Sequence, residues 1–197
     1  MSFSYKTIAL AAVLSLSALA ANSATVAIGG TGSTGAGGFN SPAGTVDTND
    51  GAYTQVATTP TSNWVWVNSP LVEYGTLLFT FTFDLTGYDL GSASLAGLWG
   101  VDNSGYVDLN GTTVSTLAFG YSAFTQMNAF SDAGATFLAG INTLTFHATN
   151  QGGPGAFRAS VSVQADALPS AVPLPAGLPL LATGMAGLAA LRRKRKA

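Results

Sequence analysis

Alternation at every second residue, repeated in short runs with no helical period between them, constrains this chain most. Phe79, Phe81 and Phe83 alternate with Thr80 and Thr82. Leu144, Phe146 and Ala148 alternate with Thr143, Thr145, His147 and Thr149. Phe157, Ala159, Val161 and Val163 alternate with Arg158, Ser160 and Ser162. Successive side chains of a strand point to opposite faces, so these runs predict half-buried antiparallel strands. Further strands are predicted near 63–67, 95–101, 105–109 and 112–118, punctuated by Gly, Asn, Asp and Pro. The expectation is an all-β antiparallel β-sandwich over residues 25–168, a jelly roll of about eight strands. Residues 25–50 are expected to be its flexible part, because 29–38 are mostly glycine. A phosphate-cradling loop is not expected there, since no Gly-Lys-Ser/Thr ending and no helix follow.

Charge is scarce and unevenly placed. Only 8% of the 197 residues are charged, against roughly 25% in an average soluble protein. Five of the seven bases, Arg192, Arg193, Lys194, Arg195 and Lys196, sit at the C-terminus, and Lys6 lies near the N-terminus. Arg158 is then the one base between residues 25 and 170. All nine acids fall in that stretch: Asp47, Asp50, Glu73, Asp84, Asp89, Asp102, Asp108, Asp132 and Asp166. Nine acids against one base leave the body at −8. Such a surface cannot neutralise a run of phosphates, so no nucleic-acid partner is expected. The absence of cysteine excludes disulfides, thiolate zinc sites and a cysteine nucleophile.

The two ends read as addresses. Residues 1–24 carry Lys6, then an apolar run from Ile8 to Ala21, then the small residues Asn22, Ser23 and Ala24. This order predicts a secretory signal peptide removed by signal peptidase, cut after Ala24, with Ala21 as the alternative. Residues 169–197 have three parts: the motif Val172-Pro173-Leu174-Pro175-Ala176, an uncharged run to Leu191, and the basic cluster Arg192 to Lys196. Leu174 to Leu191 as helix would extend about 27 Å, enough for a bilayer core. The basic cluster would stay on the cytoplasmic side and leave the acidic body outside. Motif, span and basic tail in this order resemble the PEP-CTERM sorting signal in its VPLPA variant. That resemblance implies an exosortase as partner, transient anchoring in the inner membrane, and delivery to the cell envelope or an extracellular matrix. The glutamate of the commoner Pro-Glu-Pro form is absent here.

Three segments of the body carry a second resemblance. They are Phe79-Thr-Phe-Thr-Phe-Asp84, the stretch Leu98 to Gly111 containing Leu109-Asn110-Gly111, and Gly140-Ile-Asn142-Thr-Leu144. Together they are similar to galactose-binding-like jelly rolls, the sugar-binding domains attached to many glycoside hydrolases. Local chemistry agrees: Asn110-Gly111 suits a type I′ hairpin, and Gly140 with Asn142 suits a turn into the strand at Thr143.

Catalysis finds little support in the residues. Eight of the nine acids are Asp beside turn residues, where short polar side chains bond to local backbone. A serine nucleophile would need His147 as its base, and alternation puts His147 on an exposed polar strand face. The expectation is a protein that is not an enzyme. Calcium is the candidate cofactor, as the jelly-roll resemblance implies, with Asp102, Asn103 and Asp108, or Asp47 and Asp50, as candidate oxygen ligands. Turn chemistry is the favoured reading of both groups. Flat rings are the usual platforms for sugars, which makes Trp64, Trp66 and Tyr106 candidate sugar contacts, although core or rim packing is the favoured reading of each, while Trp99 reads as core. The expected function is an exported, exosortase-processed, structural or adhesive β-sandwich in contact with extracellular polysaccharide. A lectin-like module with a defined sugar site is the alternative, and a secreted hydrolase the more remote one.

Overall fold

The computed structural model describes residues 23–32, 39–40, 45–47, 52–67, 74–169, 183–186 and 192. Its strands are β1 (Ser23–Gly30), β2 (Phe39–Asn40), β3 (Thr45–Asp47), β4 (Val65–Val67), β5 (Tyr74–Asp84), β6 (Tyr88–Asp102), β7 (Ser104–Leu109), β8 (Thr112–Leu117), β9 (Asn128–Ser131), β10 (Ile141–Gln151) and β11 (Ala156–Ala167). A single 3₁₀ turn, Tyr121–Ala123, lies between β8 and β9. The strands form two sheets, an all-β sandwich as the alternation requires. One sheet runs β3-β4-β11-β6-β9, with β1 on the same edge of β11 as β4; the other runs β2-β5-β10-β7-β8. Every pairing is antiparallel.

The predicted runs supply the inner faces. Phe79, Phe81, Phe83, Leu144, Phe146, Val107 and Leu109 come from the second sheet and meet Leu95, Trp99, Val101, Phe157, Ala159 and Val161 from the first. Phe79 and Phe157 stack across the interface with ring centroids 4.2 Å apart. Trp99 is core, and its indole N–H donates to Ser115 Oγ on β8 at 3.0 Å. The Thr rows of β5 and β10 face outward, one polar row beside the other: Thr80 opposes Thr145 and Thr82 opposes Thr143. Asn110 and Gly111 both take positive φ, as the hairpin between β7 and β8 demands. Asp84 and Asp89 each bond to backbone amides two residues on, the local turn chemistry expected of Asp.

The strand β11 differs from its prediction. It is buried on both faces from Ala156 to Val161 rather than half-buried. The segment 52–64 crosses the outer face of the first sheet and covers it. Arg158 reaches into this strap: Nε donates to Ser62 Oγ at 3.0 Å, Nη1 to the Thr54 carbonyl at 3.0 Å and Nη2 to the Val56 carbonyl at 2.8 Å. Ser160 Oγ donates to the Pro60 carbonyl at 2.9 Å. Polar residues on this face are buried because a distant segment supplies their partners.

The N-terminal part also differs. Residues 23–30, 39–40 and 45–47 are strands rather than a flexible lead. Gly29 and Gly30 pair with Val161 and Ser160. A Cβ at Gly30 would collide with the Thr61 carbonyl, so this glycine serves close packing rather than mobility. Ser23 and Ala24 pair with Asp166 and Ala165, so a cut after Ala24 removes the first two residues of β1 and a cut after Ala21 keeps the strand whole. Residues 1–22, 33–38 and the sorting motif Val172 to Ala176 lie outside the described residues, as do Arg193, Lys194, Arg195 and Lys196. Residues 183–186 and 192 are helical, and no described helix is long and apolar enough to cross a membrane.

One glycine tests the packing directly. A Cβ at Gly97 would strike the Phe130 ring and the Ser160 carbonyl. Gly97→Ala should cost about 1–3 kcal/mol, as overpacking of a core does, read as a lowered urea midpoint. An unchanged midpoint would contradict the pairing of Gly97 with Val161 and Phe130.

Candidate functional site

The strap builds a second, smaller core on the outer face of the first sheet. Tyr53, Trp64, Phe124 and Ala156 are buried together there, apart from the main core. Tyr53 packs on Trp64 at 5.1 Å between centroids and edge-on to Phe124 at 5.5 Å. The Trp64 indole N–H donates to the Thr54 carbonyl at 2.8 Å. Gly100 leaves the room that this indole needs, since a Cβ there would lie 2.6 Å from its ring.

Over this cluster lies an open concavity of about 220 Å³, lined by Asp102, Asn103, Phe119, Gly120, Tyr121 and Phe124. Asp102 ends β6, opposite Ala156 at the start of β11, and a cis peptide bond joins it to Asn103. Asn103 is held from both sides. Its backbone N–H donates to the Thr149 carbonyl at 2.8 Å, and its Oδ1 accepts from the Gln151 N–H at 2.7 Å. Phe119 and Tyr121 follow β8 and stand at the rim, 66% and 80% exposed. Phe124 is buried and turns toward Tyr121 at 5.7 Å. The site therefore presents exposed rings above a polar floor.

Asp102 is only 7% exposed. The Tyr53 hydroxyl donates to its Oδ2 at 2.9 Å, with the Pro154 carbonyl 3.2 Å from the same hydroxyl, and Asn103 Nδ2 donates to its Oδ1. Burial raises the Asp102 carboxyl above the ordinary 3.8, and the bonds from Tyr53 and Asn103 oppose that shift.

The candidate sugar contacts Trp64, Trp66 and Tyr106 do not come together. Trp64 and Trp66 are 1% and 5% exposed, so neither offers a ring face to a sugar. Alternation placed them on one strand face, but Trp64 precedes β4 and joins the second core, while Trp66 joins the main one. Tyr106 is 40% exposed, on the outer face of the second sheet. There it stacks on His147 at 4.0 Å and 11°, and His147 Nε2 lies 3.4 Å from Asp108 Oδ2. His147 is thus partly covered rather than a free surface histidine. Asp108 Oδ1 also accepts from Thr113 Oγ1 at 2.7 Å.

This placement separates the candidate calcium ligands. Asp108 lies toward the far end of β7, about 13 Å along the strand from Ser104, and Asp102 belongs to the other sheet. Asp102, Asn103 and Asp108 therefore do not fit one cation of six to eight oxygen ligands. Asp50 and the side chain of Asp47 lie outside the described residues. Among the described residues no three His, Asp or Glu side chains converge. Sequence reasoning had Asp102 and Asn103 as candidates for a different role and missed Phe119 and Phe124. The available signal was Phe119-Gly120-Tyr121, two rings around a glycine just past a strand.

No family model matches the sequence, and no curated protein matches it. Among solved structures, the chain is similar to a family 35 carbohydrate binding module from an environmental isolate. The identity is 16% and the TM-score 0.42, over 69% of this chain and 96% of that one. It is also similar to part of a β-glucosidase from Kluyveromyces marxianus in complex with glucose, at 18% identity and TM-score 0.34. That match covers 47% of this chain and 11% of the other. Neither likeness bears on ligand or activity.

The carboxyl of Asp102 sets a pH signature. With its folded value above 3.8, the folded protein holds this proton more tightly than the unfolded chain does. The stability this gives is complete below pH 3.8 and is lost as pH rises through the folded value. Asp102→Asn should lack that loss, and the Tyr53 hydroxyl can either donate to or accept from an amide. Urea midpoints at stepped pH should show wild type falling relative to Asp102→Asn just above pH 3.8. Parallel curves would mean that Asp102 is not perturbed by burial.

Proposed function

We propose that this is an exported, non-catalytic β-sandwich that contacts carbohydrate through the concavity at Asp102, Asn103, Phe119 and Tyr121. Its setting is the cell envelope or an extracellular polysaccharide matrix, where its role is structural or adhesive. The observation that carries the carbohydrate half is the pairing of two exposed rings with a polar floor. A pyranose has an apolar face that packs on an aromatic ring and hydroxyls that need hydrogen-bonding partners, and the lining supplies both. Asp102 and Asn103 are already fixed by neighbours, so little side-chain freedom is lost on binding.

The export half rests on the sequence: the signal-like residues 1–24, the VPLPA-type motif at 172–176, the apolar run and the basic tail. Signal peptidase and an exosortase are the partners this reading requires. Strand order is compatible with it. The Leu168 N–H bonds to the Gly87 carbonyl, and Ser23 pairs with Asp166, so both described ends of the body leave the sandwich together. The concavity lies at the opposite end of β11, whose twelve residues extend roughly 36 Å. A body tethered at its C-terminus would carry the site outward.

Two measurements test the two halves. Mass spectrometry of the mature protein from its native host should find residue 22 or 25 at the N-terminus and no basic cluster at the C-terminus; a chain with both ends intact overturns the export reading. On a glycan array, binding should weaken about tenfold for Phe119→Ala and for Tyr121→Ala, and Tyr106→Ala should leave it unchanged. Binding that follows Tyr106 instead, or no binding to any glycan, overturns the assignment of the site.

A further inference from the structure

We propose that the concavity receives a primary ammonium group, that of a deacetylated amino sugar. The inference rests on the carbohydrate reading above and adds to it the class of sugar. Three rings, Phe119, Tyr121 and Phe124, and one carboxylate, Asp102, line a space of about 220 Å³. Among the described residues the lining contains that one acid and no base. Ring faces carry negative potential and attract a cation within about 6 Å of the centroid. A carboxylate beneath them adds the full counter-charge, in a site where partial burial weakens screening.

The groups bonded to Asp102 are the Tyr53 hydroxyl and the Asn103 amide, and neither is a cation. Arg158, the one base of the body, turns its Nε, Nη1 and Nη2 to Ser62 and to the Thr54 and Val56 carbonyls. Among the described residues the lining thus has no cation to pair with the carboxylate or sulfate of an acidic sugar, and Asp102 would repel it.

Valence distinguishes a primary from a quaternary ammonium. A carboxylate offers about four acceptor sites, and Asp102 is engaged once at each oxygen. An –NH₃⁺ has donors for the remaining two or so, whereas a trimethylammonium has none. The space is smaller than the roughly 300–1,000 Å³ of drug-sized pockets, so it takes one sugar ring. The neighbouring rings of an oligomer would lie over Phe119 and Tyr121. Burial also raises the carboxyl of Asp102, a cost that a bound cation offsets.

Calorimetric titration of the full-length protein in detergent tests this, with a glucosamine trimer, its N-acetylated counterpart, a neutral glucose trimer and lysine amide as probes. The glucosamine trimer should bind at least about tenfold tighter than the other three. Asp102→Asn should abolish that preference, although it changes the −8 of the body by a single charge, so a diffuse field would not respond this way. Tyr121→Leu, at an exposed position that keeps the apolar area but removes the ring, should reduce the preference as well and covers the case in which Asp102→Asn fails to fold. Equal binding of the three trimers overturns the ammonium inference and leaves the carbohydrate site standing. Lysine amide binding as tightly as the glucosamine trimer overturns both, since the site would then recognise a cation and no sugar. No binding by any probe also overturns both, and a preference that survives both variants overturns the amino-sugar assignment.

Discussion

A guanidinium buried in the face of a sheet sets the terms for everything above it. Arg158 stands on the outer side of β11, where its donors would be costly to bury without acceptors. The strap 52–64 provides them as a serine hydroxyl and two backbone carbonyls. Charge-assisted bonds of this kind are shorter and stronger than neutral ones. They fix the path of a segment that has few regular backbone partners of its own. Ser160 and Thr31 add to the same seam, the former through the Pro60 carbonyl and the latter through the Asn63 carbonyl at 2.7 Å.

Once the strap is held, its apolar side chains have a place to go. Tyr53 and Trp64 pack down with Phe124 and Ala156, and Gly100 opens the space beneath the indole. The Tyr53 hydroxyl then arrives at Asp102. The end of the sandwich that holds the concavity is thus a product of two cores. The main one, between the sheets, packs the inner faces of β6 and β11, and the smaller one outside lies beneath the concavity and contributes Phe124 to its lining. Trp64 packs beneath the concavity without lining it, so a candidate sugar contact of the sequence is a packing residue in the fold.

The two sheets also separate residues that lie close in sequence. Asp102 and Asp108 are six positions apart, yet the chain passes from β6 in one sheet to β7 in the other between them. Asp102 consequently faces aromatic rings at the end of the sandwich. Asp108 joins Thr113, His147 and Tyr106 on an open sheet face. Proximity along the chain suggested a shared cation, and the change of sheet between them sets the two carboxylates apart. His147 shows the same limit. Its outward direction follows from alternation, but the ring of Tyr106 beside it is a cross-strand neighbour that only the register specifies.

What the sequence determined by itself was local and periodic. The alternation of β5, β10 and the inner side of β11, the positive-φ turn at Asn110-Gly111, and the Asp turns are properties of a few consecutive residues. These sufficed for an all-β sandwich and for most of its core, including Trp99. The tertiary structure decided which faces were covered a second time. Arg158 and Ser160 looked like a solvated row because their partners lie about a hundred positions away. Gly30 looked like part of a mobile glycine tract because the carbonyl it makes room for belongs to residue 61. The concavity assembles Asp102 from the end of β6 with rings from the loop after β8, supported by Tyr53 from the strap. Side-chain periodicity reports the two faces of a strand, but it carries no information about what a distant segment lays across either one.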